Sequence, residues 1–459
     1  MTSLLPQGDE INLQLGWPSP QLFPAAELNN ASESVLTNPE IASQSLIYGP
    51  NRGYLPLRSH VAQWLGKTYY HDKSGVDEDR VCIAGGASQN LANILLRFTD
   101  SSYTRNIWMV EPTYFLACPI FEDCGFVGKL RGVPEDEEGI DISFLRDSLA
   151  RVEGERAQLN GHDAPRVKTA VAGYEKIYKH VIYCVPTFSN PSGKTMSLRR
   201  RYELVNLAIE YDALVVSDDV YDFLWWPEKK SLYPCHTKVR LPPRLVDVNR
   251  EIDPDSKWGN TVSNGSFSKI VAPGVRVSWA EATPAFATWL ANTGATWSGG
   301  NPAHLSSTFI EDLFSSGALE KHISQKLIPT YAARYYGMVD AIQKYLEPLG
   351  VQITTGRPFR ANLVDSQDEV ILAGGFFLSL TIPEGYASAA VLAKAAIERY
   401  KLKFAYGKMF LIKGDDGSAK RSLNTFADSI RLCWAFHTEK QIEIGIKRLR
   451  DVLLDHKTL

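Results

Sequence analysis

Short apolar runs recur along the first two thirds of the chain, each closed by a loop containing Gly or Pro and followed by residues in helical spacing. The segment VCIAGGASQNLANILLRF is the clearest. Its first four residues, 81 to 84, read as a buried strand and Gly85 and Gly86 as a turn, while Leu91, Ile94, Leu95 and Phe98 repeat at the helical period. The strand-then-loop theme returns at 107–114, 181–193 and 213–221. Strands alternating with helices predict an α/β fold with a mainly parallel central sheet. In each unit the polar or aromatic residues lie just past the carboxyl end of the strand, the edge where open α/β sheets bind ligands.

After Gly300 the pattern changes. Helices are predicted over 309–328 and 329–346, strands around 370–382 and an amphipathic closing helix over 439–454, which together read as a smaller α+β domain. Two stretches rich in charge, Pro and Asn, near 150–179 and 229–260, read as surface insertions. The expected division is an N-terminal arm and part of the small domain over 1–44, a large domain over 45–305, and a small C-terminal domain over 306–459.

Composition narrows the function. With 49 basic and 52 acidic side chains among 459 residues the formal charge is −3, which gives no broad basic field for nucleic acid or anionic lipid. Cys82, Cys118, Cys124, Cys184, Cys235 and Cys433 show no CxxC spacing and read as reduced packing residues. The opening MTSLLPQGDE lacks a leader pattern, and the apolar run 370–383 is shorter than the roughly 20 residues a membrane span needs. A cytoplasmic protein is expected. The GKT of NPSGKT suggests a phosphate loop, but the first glycine of that motif falls on Phe188. The nine histidines show no metal-ligand spacing; adjacent Cys235 and His236 do not make a site alone.

The chemistry concentrates in GSFSKIVAPGVR. Ser266, Ser268 and Arg276 surround Lys269, and hydroxyls with a guanidinium about one lysine suit a dianionic phosphate held beside an amine. An amine desolvated near other cations has a depressed pKa and forms Schiff bases. Pyridoxal phosphate is therefore the cofactor to test. It needs a helix N-terminus for its phosphate, a carboxylate for its pyridine nitrogen and a plane on which to stack. Gly86, Ala87 and Ser88 open a helix, Asp218 ends ALVVSD, and Tyr114 follows Glu111 and Pro112. Singly, each has a plainer reading. Asn190 and Gly193 make a turn, Tyr114 is core, Arg431 belongs to a structural ion pair, and Asp218 is a helix cap whose neighbour Asp219 competes for the pyridine. Their conjunction in one order argues otherwise.

In that order the chain resembles the class I/II aminotransferases of fold type I over nearly its whole length. The motifs are LQLGWPSP, YGPNRGYLPLR, GGASQNL, EPTYF, SNPSG, SDDVY, SFSKIVAPGVR and SIRLCWAF. SFSKIVAPGVR is most similar to the branch of 2-aminoadipate and aromatic aminotransferases. The resemblance implies that Lys269 carries the cofactor, with Ser266, Ser268, Arg276 and the helix start at Gly86, Ala87 and Ser88 on its phosphate. It implies Asp218 on the pyridine nitrogen, Tyr221 and Asn190 on the 3-oxygen, and Tyr114 stacked on the ring. Arg431 takes the substrate α-carboxylate, with Gly16, Trp17 and Asn190 beside the substrate. Tyr48 reaches the phosphate of a neighbouring subunit, so a homodimer is implied, and Asn301 is a candidate for the same seam. The implied reaction is transamination between an L-amino acid and a 2-oxo acid. Trp17, Tyr406 and Phe376 point to an aromatic or apolar side-chain pocket, and the branch adds 2-aminoadipate. Two alternatives use the same fold: a β-elimination lyase, and an effector-sensing protein with a DNA-binding domain, which the position of Gly16 near the start and the charge balance disfavour.

Overall fold

The computed structural model describes residues 8–70, 76–158, 164–234, 239–354, 356–364 and 368–457. Cys235 and His236 lie outside the described residues. An eight-stranded sheet forms the centre, built from β1 (Val81–Ala84), β2 (Ile107–Glu111), β3 (Leu130–Asp136), β4 (Gly139–Ile140), β5 (His180–Cys184), β6 (Ala213–Asp218), β7 (Thr261–Ser266) and β8 (Ser278–Glu281). The spatial order is β1-β8-β7-β6-β5-β2-β3-β4. Pairing is parallel from β7 through β6, β5 and β2 to β3; β8 runs against both β7 and β1, and β4 runs against β3.

The apolar runs follow from burial on both faces. Along β6, Leu214 and Val216 pack with Leu91, Ile94 and Phe98 of helix Ala87–Phe98 and with Phe286. Their alternates Ala213 and Val215 pack on the other face with Leu204 and Val205 of helix Leu198–Glu210 and with Leu145 and Leu149. Both faces of each central strand are therefore apolar, and strand alternation becomes a choice between two cores.

Beyond residue 300 the helix pattern divides differently from its prediction over 309–328. Helix His304–Ser315 stops at Gly317, whose φ of 69° breaks the helical path, and a second helix, Ala318–His322, continues through a widened turn into Ile328–Tyr345. Pro329 lies in the first turn of that last helix, where a missing N–H costs nothing. The closing helix spans Glu439–Asp455 and is capped reciprocally by Thr438 and Gln441. Strands 352–354, 377–381, 429–433 and 405–406 form a separate antiparallel sheet.

The stretch 229–260 departs from a surface insertion. Val239–Arg240 joins a further sheet with 359–363, 369–374 and Trp225–Pro227, and helix Leu245–Ile252 buries Leu245 and Val248 against the central sheet. Its charge includes a buried cluster that pairs with the sheet. Buried Arg244 donates to Asp247 at 2.8 and 3.0 Å and to Glu281 on β8 at 2.6 Å, with its guanidinium over the Tyr69 ring. Removing Arg244 leaves buried Asp247 without a cation and Glu281 with Arg80 alone, at 3.2 Å. Arg244→Ala is expected to lower the free energy of unfolding by about 3–5 kcal/mol, read as a shift of the urea midpoint.

Candidate active site

Register brings the site together. Because β8 is antiparallel to both neighbours, Ser278 at its start lies opposite Ser266 at the end of β7 and Ala84 at the end of β1. The residues just outside these strands, Ser268 and Lys269, Arg276, and Gly86, therefore meet at one edge. The Arg276 guanidinium donates to Pro273 O at 2.8 Å and lies 3.4 Å from Ser268 Oγ, while Ser266 Oγ accepts the Ser268 N–H. Gly86 has a φ of 109°, and a Cβ there would fall 1.9 Å from Arg276 Nη2, so only glycine lets the guanidinium lie against the start of helix Ala87–Phe98. That helix turns its first N–H groups towards the same edge, an anion site by geometry.

The edge is the floor of a cavity of about 660 Å³, lined among others by Ala87, Ser88, Tyr114, Asn190, Asp218, Tyr221, Ser266, Ser268, Lys269, Arg276 and Arg431. Lys269 Nζ donates to the carbonyl of Gly16 at 2.9 Å and lies 5.2 Å from the Phe376 ring. Burial brings its pKa down to about 8, against the opposing pull of Cys433 and Asp218. Asp218 ends β6. Tyr183 donates to its Oδ2 at 2.7 Å, its Oδ1 is buried without a partner, and burial raises its pKa to about 6. The competing Asp219 points to the opposite face, where the hydroxyls of Ser217 and Ser263 occupy its two oxygens.

Arg431 stands on strand Ser429–Cys433 with 7 % of its surface exposed. It donates to Asn190 Oδ1 at 2.7 Å and to Gln14 O at 2.5 Å, and its guanidinium faces the Phe377 ring at 4.1 Å. Among the described residues no carboxylate pairs with it, and its Nε is unpartnered, so the ion-pair reading does not hold. A buried guanidinium met only by neutral oxygens and ring faces is arranged to receive an anion.

Other expectations are redistributed. Gly16 and Trp17 line the cavity, Trp17 at 41 % exposure. Phe376 and Tyr406 do not; Phe376 turns into the core against Tyr331 and Tyr221, and the walls are made instead by Phe377, Ala405, Met409, Leu116 and Ile120. Tyr48 is 86 % exposed and does not line the cavity within one chain. Asn301 is buried and donates to Ile83 O within the chain. Lys194 of the GKT triplet pairs with Glu135 at 3.3 Å, away from the cavity. Sequence reasoning missed Tyr183, Gln14 and Phe377; Gln14 acts through its backbone carbonyl, which leaves no trace in side-chain patterns.

A family model described as aminotransferase class I and II matches residues 25–449. The chain belongs to this family. The aminotransferase is 31% identical to an uncharacterized protein of Saccharomyces cerevisiae over 97% of each chain. It is 27% identical to aromatic-amino-acid aminotransferase 1 of Thermococcus litoralis, over 99% of this chain and 90% of that one. Its structure is similar to the multiple substrate aminotransferase from Thermococcus profundus, with a TM-score of 0.72 and 25% identity over 98% of this chain and 92% of that one. It is a pyridoxal phosphate-dependent transaminase of fold type I. These relatives lend no support to the elimination-lyase reading. The site fits the cofactor: an unpartnered buried carboxylate oxygen, a lysine amine and a cationic helix start face one cavity.

Because the amine reacts only when unprotonated, its reactive fraction rises as pH passes through its pKa. Trinitrobenzenesulfonate labelling of Lys269 in cofactor-free protein, quantified on its peptide, is expected to show a midpoint near 8, whereas exposed lysines follow about 10.4.

Proposed function

We propose that this aminotransferase binds pyridoxal phosphate through Lys269 and exchanges an amino group between an L-amino acid and a 2-oxo acid, with the substrate α-carboxylate on Arg431. The observation that carries this reading is the convergence of the Lys269 amine, the open oxygen of Asp218 and the unpaired Arg431 on one cavity. Arg276, Ser266, Ser268 and the N–H groups of Ala87 and Ser88 are the phosphate ligands in this reading, and Gly86 keeps the space they share. Asp218, ionised above about pH 6, accepts the pyridine N–H. Tyr221 and Asn190 hold the ring oxygen, and Tyr114 stacks.

When bound, the cofactor supplies the electron sink that allows a Cα proton to leave. Lys269 Nζ would be the base that accepts and gives back that proton, and its lowered pKa keeps a useful share of neutral amine near neutral pH. Arg431 orients the substrate through two parallel N–H groups, so the Cα proton faces the lysine. Gly16 and Trp17 flank the entering substrate. Leu116, Ile120, Phe377 and Met409 favour an aromatic or apolar side chain, in keeping with the aromatic relative, and 2-aminoadipate-like substrates belong to the same panel.

The assembly is proposed to be a homodimer. Leu46, Ile47 and Tyr48 are a contiguous exposed apolar stretch that a second copy would cover, carrying Tyr48 to its partner's phosphate site. The protein is assigned to the cytoplasm, with small-molecule partners only; no helix among the described residues is long and apolar enough to cross a membrane. The division into an arm over 1–44, a large unit over 45–305 and a small unit over 306–459 fits a cavity walled by the sheet edge on one side and by residues 12–18, 405 and 431 on the other.

A half-reaction panel tests the reading: cofactor-loaded protein is mixed with single amino acids and the 2-oxo acid product is identified. Aromatic and large apolar amino acids are expected to react fastest, and Lys269→Ala is expected to abolish turnover. Arg431→Lys is expected to lower kcat/KM by about 10²–10³, chiefly through KM. Release of pyruvate with ammonia would point to elimination instead. Sedimentation equilibrium is expected to give twice the chain mass; an active monomer would remove the role of Tyr48.

A further inference from the structure

Residues 11–16 pass between strand Leu402–Lys403 and strand Ser429–Cys433. Ile11 and Leu13 donate their N–H groups to the carbonyls of Lys401 and Lys403 at 3.0 and 2.8 Å, and Leu13 O accepts from Cys433 N at 2.8 Å. Successive donors along an extended chain point to opposite sides, so the Asn12 N–H is turned away from the 402–403 strand and needs another acceptor. His437 supplies it. Its Nε2 accepts the Asn12 N–H at 2.9 Å and its ring is buried. Asn12 Oδ1 accepts the Gln14 N–H at 3.1 Å, Gln14 O receives Arg431 at 2.5 Å, and Gly16 O receives Lys269 at 2.9 Å. One imidazole stands at the root of a chain of hydrogen bonds that ends on Arg431, and Gly16 lies two residues further along the same strap.

An imidazole nitrogen accepts only while unprotonated; in the imidazolium both nitrogens are donors. Acid therefore turns the acceptor for Asn12 into a second donor facing it. The groups around the ring are few. Gln441 approaches from the closing helix, Arg334 from helix Ile328–Tyr345, and Glu10 from the chain before the strap; Arg334 is bonded to Ala435 O and Glu10 is paired with Lys403 at 2.9 Å. Burial, opposed by hydrogen bonding to Gln441 and the Asn12 backbone and by Glu10 and helped by Arg334, holds the ring below its ordinary pKa and so in the accepting form at neutral pH.

We infer that neutral His437 is a positioning residue for transamination, fixing through Asn12 the strap whose Gln14 carbonyl sets Arg431. Its loss or protonation loosens the hold on the substrate carboxylate and leaves the proton transfer at Lys269 Nζ in place. The inference rests on the reading of Arg431 as the carboxylate's partner.

The test measures KM and kcat for one amino acid from the panel, using cofactor-saturated full-length enzyme from about pH 5 to 8. His437→Leu is expected to raise KM about tenfold near neutrality with kcat changed less than about twofold, the effect of leaving a buried donor unpaired. His437→Gln, whose amide oxygen accepts at every pH, is expected to restore KM and to flatten part of the rise that the parent enzyme shows in acid. A His437→Leu enzyme with the parent KM overturns the inference, as does a His437→Gln enzyme whose KM climbs with acid in step with the parent. Should His437→Leu fail to fold, the glutamine comparison decides alone. If Arg431→Lys leaves KM unchanged, the carboxylate reading itself fails; if Arg431→Lys raises KM and His437→Leu does not, only the role of His437 falls.

Discussion

Arg431, Lys269 and Asp218 hold three ionisable groups out of bulk water, and none is closed by a direct ion pair among the described residues. Arg431 meets an amide oxygen, a backbone carbonyl and ring faces; Lys269 meets one carbonyl; Asp218 meets one phenol. Neutral oxygens and dipoles solvate a charge without cancelling it, so each group keeps its attraction for an incoming partner. Isolated buried charge is costly, and the rest of the molecule is arranged to hold these groups where relaxation would separate or pair them.

The sheet does most of that holding. Its two helix-covered faces and fixed register place the ends of β1, β2, β5, β6 and β7 and the start of β8 on one edge, so phosphate, ring and amine ligands come from six strand termini. The placement costs stability locally, as in the left-handed φ of 50° at Arg276. Ion networks elsewhere are closed, as at Arg244, Asp247 and Glu281, where every charge has its counter-ion. The contrast separates frame from site: satisfied charges where the fold must be rigid, open ones where a ligand is to be met.

Much of this was legible in sequence, for physical reasons. Buried parallel strands are continuous apolar runs with ligand groups at or just past their ends, so Asp218, Tyr114 and Lys269 stand out once their positions are taken together. The mostly parallel sheet and the closing helix are likewise written in side-chain periodicity. What stayed hidden depends on pairing between distant segments. Phe377 lines the cavity and Phe376 does not because the 377–381 strand pairs Phe377 with Cys433 in register, and no local pattern states which alternate faces which side. The 229–260 stretch looked like surface because nothing local marks Arg244 and Asp247 as buried; their cluster closes on Glu281, a partner further along the chain. Gln14 and Gly16 contribute carbonyls, which every residue has. Tyr48 is a further kind of case: motif order names it, and a single chain leaves it exposed.

The opposed shifts of Lys269 and Asp218 show why the burial of this site is limited. The same loss of water pulls the amine down to about 8 and pushes the carboxyl up to about 6, so deeper burial would drive the two values together and leave a neutral pair at neutral pH. A neutral Asp218 would offer a proton to the ring nitrogen it is proposed to hold protonated. The Tyr183 hydrogen bond and the lysine's own charge oppose that drift, while Asp222 adds to it from behind. Asp222 is itself raised by burial and is steadied by a hydrogen bond from Tyr69 at 2.7 Å. The sign of the charge on Asp218 thus depends on a phenol from β5 more than on any cation, and Tyr183 belongs to the site although it would touch no substrate.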